Sequence, residues 1–160
     1  MEQVKSKFRV MPTKDASLIM SFIKGPALLK RCAGGMPINL GDFTPENLQK
    51  FIEKTKAQFL VVTEDGAGLG FAVVNPEAPQ ICSIHLCLRT VGKKTERAFS
   101  LIIMYIKMIM GCNTVHAVYP KEYRGCNRIT VLFGFKEDLS LKTFYNITST
   151  LPYAYKRLDI

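Results

Sequence analysis

The residues best equipped for chemistry cluster in "CSIHLCLRTVGKKTERAF", Cys82–Phe99. Within it, Leu88–Phe99 sets one glycine and two lysines between a strand-like run and a helix-like run. Such a junction is either a phosphate-gripping loop or a basic, solvated start to a buried helix, and the residues alone leave both open. His85 lies just upstream, and an imidazole of unperturbed pKa about 6.5 suits proton transfer near neutrality. Its competing role is that of a half-buried histidine with a backbone partner. Strand alternation puts Ser83, His85 and Cys87 on one face and Ile84, Leu86 and Leu88 on the other. Cys82 therefore faces away from His85 and Cys87, and even with His116 on a later strand no metal site is expected. A nucleophilic Cys87 would need surroundings that lower its pKa, and nothing near it in sequence supplies them.

These residues need a fold to position them. A chain of 160 residues, 48% hydrophobic and 22% charged, reads as one globular domain spanning residues 1–160. The net charge, 22 − 13 = +9, favours acidic partners: nucleic acid, an anionic surface or a polyphosphate cofactor. Nucleic acid would be met through phosphate contacts from residues such as Lys121, Arg124 and Arg128, although no recognised module or stacking signature appears. Five cysteines (32, 82, 87, 112 and 126), odd in number and without a C-x-x-C pair, argue against a secreted disulfide scaffold. "MEQVKSKF" lacks the apolar core of a signal peptide. The longest apolar run, Phe99–Met110, has twelve residues including Lys107, too short to cross a membrane. A soluble cytoplasmic protein with reduced cysteines and no membrane partner is the expectation.

Along the chain, Lys7–Met11 reads as a strand, and Thr13 and Asp15 precede a helix in "ASLIMSFI" that ends near Gly25-Pro26. A loop in "RCAGGMPINLGDF" follows. Thr44 and Pro45 are the N-cap and first position of a second helix, with Leu48, Phe51 and Ile52 on its buried face. "FLVVTE", "LGFAVV" and "ICSIHLCL" then form an antiparallel meander, joined by Asp65-Gly66 and by "NPEAPQ". "ERAFSLIIMYIKMIM" is apolar on nearly all sides, the pattern of a helix packed between layers. "TVHAVYP" is a fifth strand and "YRGCNRITVLF" a short helix ended by Gly134. "KEDLSLKTFYNI" and "LPYAYKRL" are the closing strands. The fold class is α/β (α+β) with a mixed central sheet, in the order β-α-α-β-β-β-α-β-α-β-β.

That order resembles the GNAT (GCN5-related N-acetyltransferase) superfamily over essentially the full length. "FRVMPTKD" is similar to the family's opening, "TEDGAGLGFAVV" to its hairpin, and "VLFGF" to the Gly-Phe before its sixth strand. Arg89-Thr-Val-Gly92 resembles the first four positions of its Arg/Gln-x-x-Gly-x-Gly/Ala loop, whose last position is Lys94 here. The resemblance implies acetyl-CoA as cofactor. The pantetheine arm would lie where the fourth strand splays from the fifth. The pyrophosphate would rest on backbone amides of the loop, at the positive end of the next helix. The implied cofactor residues are Cys87, Leu88, Arg89, Gly92, Lys93, Lys94 and Thr95, with Thr95 able to cap the helix.

For chemistry the resemblance implies acetyl transfer to an amine, with a base for the amine and an acid for the CoA thiolate. The family's usual Tyr acid, four residues before the Gly of Gly-Phe, falls on Thr130; Tyr119 and Tyr123 are the substitutes, and His85 the candidate base. The chain is also similar to small, degenerate GNAT-like proteins of tailed bacteriophages. These imply a catalytically silent structural role, as a homo-oligomer or with virion proteins, in the host cytoplasm or the particle.

Overall fold

In the computed structural model of the chain, residues 6–23, 43–147 and 150–160 are described; the expected "RCAGGMPINLGDF" loop and the Gly25-Pro26 helix end lie outside these but for Phe43. The elements are β1 (Phe8–Thr13), α1 (Ala16–Phe22), α2 (Pro45–Lys54), β2 (Gln58–Glu64), β3 (Ala67–Ala78), β4 (Ile81–Leu88) and α3 (Lys93–Met108). There follow β5 (Thr114–Pro120), α4 (Arg124–Leu132), β6 (Lys136–Glu137), α5 (Leu141–Tyr145) and β7 (Tyr153–Asp159). This is a mixed α/β fold with seven strands. No helix among the described residues is long and apolar enough to cross a membrane.

The chain divides into two compact units, the first Met1–Asn75 with His85–Tyr105, the second Pro76–Ile84 with Ile106–Ile160. In the first, β1 pairs antiparallel with β2 and β2 with β3 across the Asp65-Gly66 turn. Two caps fix the helices that cover this sheet: the Asp15 side chain accepts from Leu18 N–H, and Thr44 from Asn47 N–H. Their apolar faces, Ala16, Ile19 and Phe22 from α1 and Leu48 and Ile52 from α2, pack with Phe59, Val61, Phe71 and Val73 of β2 and β3. The alternate residues Leu60, Val62, Ala72 and Val74 are buried as well, so both faces of these strands exclude water.

In the second unit, β4 pairs with β5 in parallel, Ile81–Ser83 against Thr114–His116. β7 pairs antiparallel with both β5 and β6, giving the order β4-β5-β7-β6. The β4–β5 ladder stops at Ser83 and His116 although both strands continue.

Three expectations need correction. β3 extends to Ala78, so most of "NPEAPQ" is strand. α3 buries Ala98, Phe99, Ile102 and Ile106 but exposes Met104 and Met108, so it has one wet face instead of apolar contact all round. "KEDLSLKTFYNI" holds only two strand residues and then α5, because Asp138 accepts from both the amide and the hydroxyl of Ser140 and turns the chain. The observed order gains one helix there.

Candidate functional site

The junction between β4 and α3 is built by one glycine. Gly92 has φ +64°, and a Cβ built on it would meet nothing within 4 Å. The positive φ turns the chain so that α3 begins at the next residue, Lys93. The first-turn amides of an α-helix have no intrahelical acceptors and carry the positive end of its dipole. Here they follow an open glycine and Val91, which is 87% exposed.

The side chains around this turn do more structural work than their charges suggest. Arg89 donates from Nε to the Phe22 carbonyl (2.8 Å) and from Nη2 to that of Ser21 (2.7 Å), capping the C-terminal end of α1 with a cation. Its guanidinium also lies 5.6 Å from the Phe22 ring centroid. Lys94 pairs with Glu64 at the end of β2, Nζ to Oε2 2.6 Å, with the Lys94 side chain 60% exposed. This hydrogen bond, with Ser6, Lys94 and Arg97 adding to it, holds the Glu64 carboxyl below its ordinary range. Arg97 sits over the Phe8 ring at 4.4 Å and donates to Ser6 Oγ. Thr95 does not cap the helix; as its third residue it hydrogen-bonds the Thr90 hydroxyl at 2.8 Å, bracing the loop across the turn. Among the described residues, Lys93 is the one cation of the four with no ion pair, hydrogen bond or ring contact from its side chain.

Close packing of β3 on β4 holds the strand that leads into the loop. A Cβ at Gly70, φ +139°, would lie 2.2 Å from the Cys87 carbonyl oxygen and 2.8 Å from Leu88 Cα, so only glycine fits. The Arg89 amide donates to the Leu69 carbonyl. Cys87 packs among the α1 and α2 core residues and is disulfide-bonded. It offers no thiol for catalysis, and the expectation of uniformly reduced cysteines is corrected. His85 is half-buried on the same strand.

In the second unit, the phenol of Tyr119 on β5 meets the residue at the expected acid position: its hydroxyl lies 2.7 Å from Thr130 Oγ1. Thr130 in turn donates back to the Cys126 or Asn127 carbonyl on α4. The Thr130 proton is committed to the helix, so Tyr119 donates to Thr130. Tyr119 is buried, and desolvation raises its pKa despite that hydrogen bond. Tyr123 is the N-cap of α4 without a capping side-chain bond.

The same unit holds a polar chain that single-sequence reasoning missed. Ser83 and His116 are partners in the β4–β5 register. Ser83 Oγ donates to Glu77 Oε1 (2.6 Å), and Tyr145 Oη lies 3.0 Å from His116 Nδ1. The Tyr145 and Phe144 rings meet the imidazole edge-on at 5.9 and 6.2 Å. Burial, then the Arg157 charge, lower the His116 pKa against the opposing pull of Glu77, Asp138 and Asp159. The sequence pattern predicts a strand at Tyr145, where alternation gives no reason to aim it at His116; the residue instead ends a short helix. Cys82 and Cys112 are buried free cysteines, and burial, with the neighbouring Cys112 adding to it, pushes the Cys82 thiol up, which suppresses thiolate chemistry. No cluster of three metal-binding side chains occurs among the described residues.

By sequence, no protein-family model and no curated protein matches the chain. By structure it is similar to the N-acetyltransferase PseH of Campylobacter jejuni, solved in complex with acetyl coenzyme A: TM-score 0.63, 13% identity, 96% of this chain and 99% of that one. It is similar to a GNAT-family acetyltransferase of Bacillus anthracis, with TM-score 0.66, 15% identity and coverage of 97% and 96%. The ribosomal-protein-S5-alanine acetyltransferase of Vibrio fischeri aligns with TM-score 0.64, 14% identity and coverage of 99% and 95%. With the strand order and the glycine turn into α3, these likenesses show that the chain has the fold of the GNAT N-acetyltransferases.

Proposed function

We propose that the chain is an acetyl-CoA-dependent N-acetyltransferase that acts on an amine. The observation that carries this reading is the Gly92 turn, which runs directly into the first turn of α3 with open space beside it. A pyrophosphate there would accept from the amides of Gly92, Lys93, Lys94 and Thr95, with the Lys93 ammonium at hand. Leu88, Arg89 and the Cys87 backbone would position the strand end from which the loop springs. Bound acetyl-CoA supplies an activated thioester; this chain supplies anion-binding amides and a braced loop. The fold likeness to PseH with acetyl coenzyme A adds support. Tyr119 is buried and bonded to Thr130, which favours Tyr123 over it as the acid for a thiolate, with His85 as the candidate base.

A second reading, a catalytically silent GNAT-like protein of a bacteriophage particle, is favoured by one observation. Arg89, Lys94 and Arg97 spend their charges on α1, β2 and β1 instead of on an open anion site. Isothermal titration with acetyl-CoA separates the two. No binding at millimolar cofactor overturns the enzyme reading, and binding without turnover on amines selects the silent one. Gly92→Glu is expected to abolish binding while the circular dichroism spectrum is retained; unchanged affinity would show that this loop is not the phosphate site.

A further inference from the structure

Arg89 stands three residues before Gly92, yet its guanidinium is bonded to α1. That helix is seven residues long and has no basic residue in its last turn. Its final carbonyls therefore lack intrahelical donors and carry the negative end of the dipole. Arg89 answers both needs from 67 residues further along the chain, forking onto the Phe22 (2.8 Å) and Ser21 (2.7 Å) carbonyls. The same end of α1 is seated on β3. A Cβ built on Gly68 would lie 2.5 Å from Phe22 Cε1, and the Phe22 and Phe71 ring centroids are 6.3 Å apart. β3 also takes the Arg89 amide, at the Leu69 carbonyl. Arg89 thus joins α1, β3 and β4 at one point, with its main chain and its side chain both held. Thr90, Val91 and Gly92 alone separate it from the start of α3, and the Thr90 hydroxyl is bonded to that of Thr95 (2.8 Å). So short a span, fixed at both ends, makes the place of its amides follow the place of the α1 end.

We infer that the last turn of α1 supports the cofactor loop from outside it: Ser21 and Phe22, gripped by Arg89, set the position of the anion-binding amides. The inference rests on the acetyl-CoA reading above. Arg89 and Phe22 are positioning residues, acting through the loop backbone and touching no phosphate. The loop motif implies a cofactor contact for Arg89, and the grip on α1 gives that residue a different task. The task also demands arginine. A guanidinium presents a rigid fork that spans two carbonyls, whereas the ammonium of lysine is a single point charge on a flexible stem. Charge alone is therefore not enough at this position, which separates the positioning role from a phosphate contact.

Two measurements test this. In isothermal titration with acetyl-CoA over a range of salt concentrations, Arg89→Lys and Arg89→Gln should both weaken binding, by roughly five- to tenfold. Both should keep the salt dependence of the unaltered protein, because no phosphate contact is lost. Phe22→Leu, on α1, should weaken binding in the same direction by about two- to fivefold. Full affinity in Arg89→Lys with a flattened salt dependence in Arg89→Gln would make Arg89 a phosphate ligand and overturn the inference. Unchanged affinity in all three variants overturns it as well. Nitrogen-15 amide spectra of the unliganded protein read the same support without cofactor. Arg89→Gln should shift the Gly92, Lys93 and Thr95 amides and speed hydrogen exchange at the Ile23 amide, which closes α1 on the Met20 carbonyl. Shifts confined to Leu88, Arg89 and Thr90 overturn the support of the loop by α1. No binding of acetyl-CoA by the unaltered protein overturns the cofactor reading, and the spectra then still decide whether α1 sets the loop.

Discussion

Tyr119 and Thr130 show how an expected catalytic position can become a structural one. The phenol donates to Thr130, whose own proton goes back to a helix carbonyl, so removing either partner has a different cost. Tyr119→Phe leaves Thr130 still satisfied by α4 and should destabilise by about 1 kcal/mol. Thr130→Val strands a buried phenol proton and should cost about 1–3 kcal/mol, the larger of the two in urea unfolding. Equal losses would mean that water replaces Thr130 as acceptor. Position 130 was found from sequence by counting back from Gly134, but nothing local announced that the β5 phenol would fill the space beside it. That pairing joins residues on two elements, and only their packing reveals it.

Between elements, two contacts set the loop. Gly70 allows β3 to approach β4 closely, and Gly70→Ala would drive a Cβ into the Cys87 carbonyl at an unfavourable φ. A loss of more than about 1 kcal/mol in stability is expected, accompanied by weaker cofactor binding through the displaced strand end. The Lys94–Glu64 pair holds the α3 start to the end of β2. Glu64→Gln should leave the unfolding midpoint nearly unchanged, free the ammonium, and tighten acetyl-CoA binding in low salt, as titration calorimetry would record. Weaker binding would mean that the pair shapes the loop instead of competing with phosphate. Much at this scale was legible in the sequence: capping types at Asp15 and Thr44, the Asp65-Gly66 turn and the Gly92 junction are local signals with local causes. What escaped was non-local. α5 hid in a stretch rich in β-formers because its start depends on one Asp138–Ser140 turn, and with it went the Tyr145–His116 contact. The wet face of α3 escaped because Met104 and Met108 look like core residues in a hydropathy pattern.

For the molecule as a whole, the buried imidazole links stability to pH. The folded pKa of His116 lies below its ordinary value of 6.5, so the neutral form is the one that folding favours. Its contribution is complete above about pH 6.5 and is lost as the pH falls through the lowered folded value. Unfolding midpoints should therefore decline below pH 6.5 in the unaltered protein and decline less in His116→Gln, before carboxylates with lowered values, such as Glu64 and Asp138, begin to titrate. Parallel profiles would show that His116 is not the group responsible. The central claim concerns the other unit, where a basic junction is read as an anion cradle made of backbone. It is tested most directly by titrating nitrogen-15-labelled protein with acetyl-CoA and following each amide. The account predicts saturable shifts largest at Gly92, Lys93, Lys94 and Thr95, and their loss in Gly92→Glu. Saturable binding that leaves those four amides unmoved, or no binding at millimolar cofactor, would contradict it.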